Sequence, residues 1–369
     1  MSWQEQLRNG VKTVEDLDSY AKLNAEEKLR LSKVIDAFPL LITPYYASLV
    51  DWKNPNDPIR KIIVPSESEF SEEGLFDPSN EKSNTVLPSL QHKYRNTALL
   101  LSTSNCAGYC RFCFRRRLKE NCDSVAEKKD ELNEVFEYIK SHPEIDNVLI
   151  SGGDSLVLSN ERLDFILGKI SKINHVKMIR LATRVPVFLP QRISEDKELL
   201  EILTKYNKKK QIYVITHFNH PDEITTESIK TVKLLINNGI QVRNQTVLLK
   251  GVNDDADVLA KLFNELVFNG VVTYYLFQCR PVKKSSHFKI PLNEGWKLFE
   301  GAKKQVSGLA KTVRYAMSHT TGKVEICGIL ENKIYLKYIQ AKKYEDIGKF
   351  MIKKLPKNKD AYWFDDLIE

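Results

Sequence analysis

Three cysteines, Cys106, Cys110 and Cys113, fall within the segment NCAGYCRFCFRRR (105–117) at the spacing C-x3-C-x2-C. Thiolates are soft ligands suited to iron–sulfur clusters or to zinc. A closed structural zinc site takes four ligands, and this motif supplies three. A 4Fe–4S cluster held by three cysteines leaves one iron open, and an open iron can chelate a substrate or cofactor. Two other readings compete: a zinc site completed by Cys122 or a remote residue, and three unrelated buried cysteines. Cys122 and Cys327 otherwise read as ordinary thiols.

Further groups with chemistry follow along the chain. Ser151, Gly152, Gly153 and Asp154 come directly after an apolar run. Glycine there lets backbone approach a ligand closely, and Asp154 can accept from an ammonium; a tight structural turn is the alternative. His217 and His220 flank Asn219 and could serve as a pair of metal ligands or as polar contacts. Gln245 sits inside an apolar run, where a buried structural amide is the plain reading. Arg115, Arg116 and Arg117 follow the last cysteine. A guanidinium suits bidentate binding of carboxylate or phosphate, and a solvated surface is the competing account.

These groups need elements to position them. Short β-branched runs occur at 97–103, 147–151, 176–182, 211–216, 242–248 and 272–277. Amphipathic segments at 126–140, 160–172, 196–206, 223–237 and 255–268 separate them, and another at 292–304 follows the last run. Alternation of this kind predicts βαβ units and a parallel sheet, here a partial (β/α)6 barrel. The cysteines then lie just after the first strand, where αβ barrels place their chemistry. Residues 1–95 read as a helical and loop extension, 96–310 as the barrel, and 311–369 as a β-rich extension. In the last, strands at 312–318, 323–329 and 333–339 are too closely spaced for crossover helices, and are expected to cap the barrel or pair with a neighbour.

The chain has 369 residues, 42% of them hydrophobic, enough for a full core. No apolar run reaches the roughly 20 residues of a membrane span, and the N-terminus lacks a secretory pattern. Six cysteines, three of them clustered, do not suggest a secreted disulfide scaffold; a reducing cytoplasm is expected. The net charge of +8 reads as solvated surface, since no aromatic-interleaved basic motif points to nucleic acid.

The cysteine motif resembles that of the radical S-adenosylmethionine (radical SAM) superfamily. Over residues 40–330 the likeness narrows. ITPYYASLVD, NPNDPIRKIIVPS, ISGGDSLVL, TRVPVFLPQRI, THFNHPDEIT, NQTVLLKGVND and FQCRP all look like segments of the lysine 2,3-aminomutase family. The resemblance implies a 4Fe–4S cluster on Cys106, Cys110 and Cys113, with SAM bound at the open iron and cleaved to a 5′-deoxyadenosyl radical that abstracts a substrate hydrogen. It places Phe112 near the adenine and Ser151, Gly152, Gly153 and Asp154 at the SAM amino group. It makes His217 a cofactor contact, sets Gln245 near the ribose, and has Arg115 grip the carboxylate of a small amino-acid-like substrate. A reductant such as flavodoxin or ferredoxin is implied, and assembly of identical chains is left open.

In that family pyridoxal phosphate (PLP) joins a lysine after a glycine run, and an amino group then migrates between neighbouring carbons. The matching segment is SHTTGK, making Lys323 the candidate Schiff-base lysine, with Tyr94 in the PLP vicinity. The glycine run is mostly replaced. The arginine expected as a phosphate contact is Thr97, and the aspartate expected to bind a substrate ε-ammonium is Ala316. Two readings follow: a PLP-dependent amino shift, or a relative without PLP in which His319, Thr320 and Lys323 meet substrate directly. A strand lysine is the bland alternative for Lys323. Cys279 matches the first ligand of a structural zinc site in longer relatives, but no cysteine follows Cys327, so that zinc is not expected. A non-enzymatic iron–sulfur carrier would normally use four protein ligands and would not need the Gly-Gly-Asp motif.

Overall fold

In the computed structural model, residues 1–119 and 129–369 are described; Cys122 and the start of the helix expected over 126–140 lie outside them. Each β-branched run becomes a strand that packs one set of alternate side chains in the apolar core and turns others to the interior cavity. The six expected strands are β3 (Thr97–Thr103), β4 (Asn147–Gly152), β5 (Met178–Ala182), β6 (Gln211–Thr216), β7 (Gln241–Leu248) and β8 (Val272–Gln278). All pair in parallel and in chain order. Five short helices precede them: α1 (Trp3–Arg8), α2 (Val14–Ala21), α3 (Ala25–Ala37), α4 (Pro44–Ala47) and α5 (Pro58–Ile63).

Crossovers run through α6 (Lys129–Ser141), α7 (Asn160–Ser171), then α8 (Val185–Phe188), α9 (Gln191–Ser194) and α10 (Lys197–Asn207), and finally α11 (Thr226–Asn237), α12 (Ala256–Phe268) and α13 (Leu292–Lys304). Helix α7 shows why they dock. Leu163, Ile166, Leu167 and Ile170 recur at helical spacing and are all buried, and the Ser159 hydroxyl caps the first turn by accepting from Arg162 N.

The sheet continues past both ends of the expected barrel, among the described residues as twelve strands in chain order. Strands β1 (Thr85–Leu87) and β2 (Leu90–Tyr94) lie in the stretch read as helix and loop, and β2 pairs antiparallel with β3. They are too short and polar to display a period. Beyond α13, β9 (Arg314–His319) joins β8 as a seventh parallel strand. It is therefore one more βα unit, where a cap on the barrel or pairing with a neighbour had been expected. Then β10 (Gly322–Leu330), β11 (Lys333–Ala341) and β12 (Phe350–Lys354) add antiparallel; β12 was not anticipated.

Side chains from β2 through β11 converge on one cavity, Lys93, Leu99, Ser151, Arg180, Thr216, Gln245, Tyr274, Ser318, Lys323 and Gln340 among them. Only a strongly curved sheet can gather them. No helix among the described residues is long and apolar enough to cross a membrane.

Candidate active site

Strand β3 ends at Thr103, and the loop after it carries Cys106, Cys110 and Cys113 to the wall of a cavity of about 360 Å³. The N-terminal extension holds this loop from behind. Tyr109 N donates to Leu41 O at 3.1 Å and Arg111 N to Ile62 O at 2.9 Å. The Arg111 guanidinium points away from the cavity into a buried pair with Glu69, both side chains 1% exposed, at 2.7 Å. It also donates to Pro39 O at 3.0 Å, and Arg116 shares Glu69 at 2.9 Å. Breaking such a buried pair from one side costs about 3–5 kcal/mol, so the loop is rigidly seated.

Burial pushes the Cys106 and Cys110 thiols up. At Cys110 the rise is opposed by Arg184, whose Nη1 donates to Sγ at 2.9 Å. The same guanidinium donates to Glu223 Oε1 at 2.5 Å and to His217 O at 2.9 Å. A fixed cation against a sulfur is a setting for a thiolate ligand. Among the described residues no three His, Cys, Asp or Glu side chains converge on a point for a single metal ion. A four-iron cubane makes no such demand, because each cysteine binds its own iron. The three thiols on one cavity wall fit that group.

The Ser151–Asp154 segment closes the wall from β4. Gly152 has φ +116°, and a Cβ there would lie 2.3 Å from Thr103 O; at Gly153 it would lie 2.0 Å from Asn105 O. What these glycines admit is the backbone of the cysteine loop. Gly153 N donates to Thr103 O at 2.6 Å and Asp154 N to Asn105 O at 2.7 Å. Asp154 is buried, which raises its carboxyl, and its oxygens accept from Leu156 N at 3.0 Å and Arg184 N at 2.7 Å. It thereby locks the β4 and β5 loops together while lining the cavity.

His217 meets Phe112 edge-on at 5.7 Å between centroids, and both line the cavity. Burial drives the His217 imidazolium well below its ordinary range, and its buried Nε2 has no partner among the described residues. A neutral imidazole with a free nitrogen is a ready contact for a ligand. His220 is not brought to the cavity; its Nδ1 accepts from Asp222 N at 3.2 Å in the next turn. Gln245 faces inward and donates to the Tyr274 hydroxyl.

Across the cavity stands Lys323, its Nζ 4.8 Å from the Tyr275 ring centroid and 5.8 Å from that of Phe277. Burial, then the like charges of Arg180, Arg280 and Lys93, push its pKa down to about 7. Tyr94 lines the same wall, its phenol pushed up by burial. Ala316 is buried in β9 beside Phe277. His319 and Thr320 are turned from the cavity: His319 Nε2 faces Asp365 at 3.1 Å, and its Nδ1 faces Thr321 Oγ1 at 2.8 Å. Arg115, read as free for a substrate, already meets a carboxylate of the chain. Its Nη2 donates to Glu81 Oε1 at 2.7 Å and its Nη1 to Ser151 Oγ at 2.9 Å. Burial would raise Glu81, but Arg115 and Arg117 hold it down at about 2.

Sequence reasoning passed over Lys93, Arg180, Arg184, Arg280 and Glu81, all but Glu81 cationic and all on the cavity wall. One signal was available: Arg180 interrupts the strand MIRLA, and a charge inside a parallel strand needs a polar interior. The others stand in loops or on the short strand β2, where no period marks them.

Comparison with known proteins accounts for this arrangement. Residues 100–263 match the model of the radical SAM superfamily. A protein of Aquifex aeolicus grouped with the L-lysine 2,3-aminomutases is 43% identical over 362 residues, covering 97% of this chain and 96% of that one. The L-lysine 2,3-aminomutase of Acetoanaerobium sticklandii is 42% identical, over 83% of this chain and 73% of its own length. The glutamate 2,3-aminomutase of Clostridioides difficile is 37% identical, over 83% and 71%. Identity at this level across both the cysteine loop and the cavity-lining strands means that the chain belongs to the lysine 2,3-aminomutase family of radical SAM enzymes.

Proposed function

We propose that the cavity is the reaction chamber of an amino-acid aminomutase, with Cys106, Cys110 and Cys113 holding three irons of a 4Fe–4S cluster and Lys323 holding PLP. The observation that carries this reading is that the three thiols and the Lys323 amine, which has no hydrogen-bond or ion-pair partner among the described residues, open onto one cavity. When bound, cluster and SAM supply a carbon radical that abstracts hydrogen, and PLP supplies a conjugated carbonyl through which an amino group can move.

The chain's own residues prepare the space. Arg184 steadies the sulfur of Cys110. Phe112, His217 and Gln245 form a wall with one unpaired nitrogen for SAM. Lys323, with its pKa near 7, presents much of its amine neutral at neutral pH, the form able to attack a carbonyl. Thr97 and the shortened glycine run removed two phosphate donors expected of the family. Arg180 supports the PLP reading by replacing them, with a buried Nε that has no partner among the described residues. Relatives named for lysine and for glutamate leave the substrate's side chain open between cation and anion.

Anaerobic reconstitution with iron and sulfide, followed by reduction with SAM, tests the first half. Methionine and 5′-deoxyadenosine should form, and should be lost in Cys106→Ala, Cys110→Ala and Cys113→Ala but kept in Cys327→Ser. No 5′-deoxyadenosine from the intact protein would end the reading. A visible absorbance band on incubation with PLP, absent in Lys323→Ala, tests the second half.

A further inference from the structure

We infer that the substrate's side chain is anionic and that Arg280 receives it. This rests on the cavity being the amino-acid site proposed above, and it adds which amino acids that site accepts.

The first ground is charge. Among the described residues the cavity wall carries seven lysine and arginine side chains against two carboxylates, Glu81 and Asp154. Both carboxylates are committed, Glu81 to Arg115 and Arg117, and Asp154 to backbone amides. Ala316 offers no replacement. A substrate bearing a second ammonium would therefore be buried among like charges without a partner, which is strongly unfavourable.

The second ground is Arg280 itself. It follows β8 on the side of the cysteine loop, and its guanidinium lies 3.6 Å from the ring centroid of Phe114, the residue after Cys113. Stacking fixes the plane of the group and leaves its edge free for bidentate contact. That edge is unused: Nη1 is buried without a hydrogen-bond partner among the described residues, and Glu81, the carboxylate whose charge acts most on the group, is held by Arg115 and Arg117. Of the other six cations, Arg180 and Lys323 are assigned to PLP above, Lys119 donates to Ser104 O, and three are engaged elsewhere. Arg115 is held by Glu81 and Ser151, Arg184 by Glu223, and Lys93 by His319 O at 2.6 Å.

An anion at Arg280 has two sources, the substrate's side-chain carboxylate and the phosphate of PLP. Position favours the carboxylate. Arg180 and Arg280 both face Lys323, but of the two only Arg280 also packs on Phe114, next to the cluster ligand Cys113, whereas the unpaired Nε of Arg180 lies within β5.

The test is equilibrium binding of L-glutamate, L-aspartate, L-glutamine and L-lysine. The reconstituted protein carries SAM and PLP and receives no reductant, so binding is read without turnover. Glutamate or aspartate should bind about 10- to 100-fold more tightly than glutamine, the range of a charged hydrogen-bonded pair over a neutral one, and lysine should bind most weakly. Arg280→Gln should bring the affinities for the acid and for glutamine to within about threefold of each other, with PLP absorbance and SAM binding unchanged to report that the variant is folded. Arg280→Lys should keep part of the preference. Lysine binding as well as the acids would overturn the inference. So would Arg280→Gln weakening PLP binding, read by its absorbance, with the acid-to-amide ratio intact, because Arg280 would then be a phosphate contact. Formation of 5′-deoxyadenosine is scored separately: its presence alongside a failed acid preference leaves the aminomutase reading standing, and its absence removes both.

Discussion

Lys323 has a titration that can be worked through in numbers. Its ordinary pKa of 10.5 falls to about 7 because the amine is buried against Tyr275 and Phe277 and faces Arg180, Arg280 and Lys93. At pH 7 about half of it is neutral, against roughly one part in three thousand for a free lysine, an excess of about a thousandfold. Competitive acetylation across pH 5.5 to 9.5, read by mass spectrometry on the Lys323 peptide against a free lysine peptide in the same tube, should give a midpoint near 7. Stability carries the same signature. The unfolded chain holds a proton that the folded chain releases between pH 7 and 10.5, so the penalty is absent above that window, grows as pH falls through it, and is constant below. Its ceiling, at ~1.36 kcal/mol per pKa unit, is ~5 kcal/mol. Lys323→Met should therefore raise the denaturant midpoint more at pH 6 than at pH 10. An acetylation midpoint above 9, or an equal effect of the substitution at both pH values, would refute the electrostatic account of this site.

Other substitutions test the remaining walls. Gly153→Ala places a Cβ 2.0 Å from Asn105 O; we expect a loss of at least about 2 kcal/mol in denaturant unfolding and less iron after reconstitution, and wild-type behaviour in both would show that the two loops can part freely. Arg184→Met strands Glu223, whose side chain is 0% exposed, and should cost about 3–5 kcal/mol. The double variant Arg184→Met/Glu223→Leu should recover part of that, and no recovery would mean that the pair is not the source of the loss. His217→Leu should raise the SAM Kd of the cluster-loaded protein about tenfold by equilibrium dialysis, and an unchanged Kd would remove His217 from the cofactor wall.

What could be read from the residues alone was chemistry and periodicity that are local in the chain. The C-x3-C-x2-C spacing sits on one loop, so its ligand character needs no partner from elsewhere. The runs that became β3 to β8 were legible because each is an apolar segment long enough to show a period and is flanked by an amphipathic helix. Segments as short or polar as β1, β2 and β12 exist only because a neighbouring edge completes their hydrogen bonds, and no pattern within them announces that edge. The same distinction governs the site. Gly152 and Gly153 were visible as glycines, but only the fold reveals that their close neighbour is the backbone of the cysteine loop. The run Arg115–Arg116–Arg117 looked like three equivalent cations until pairing with Glu69 and Glu81, some 34 to 47 positions away, committed them. His319 and Lys323 are four residues apart, yet one turns to Asp365 and the other faces the cavity. Charge balance in a buried space is a sum over residues that curvature of the sheet brings together. That is why the cysteines could be assigned a chemistry from their spacing, while the preference of the cavity for an anion was decided by the tertiary structure.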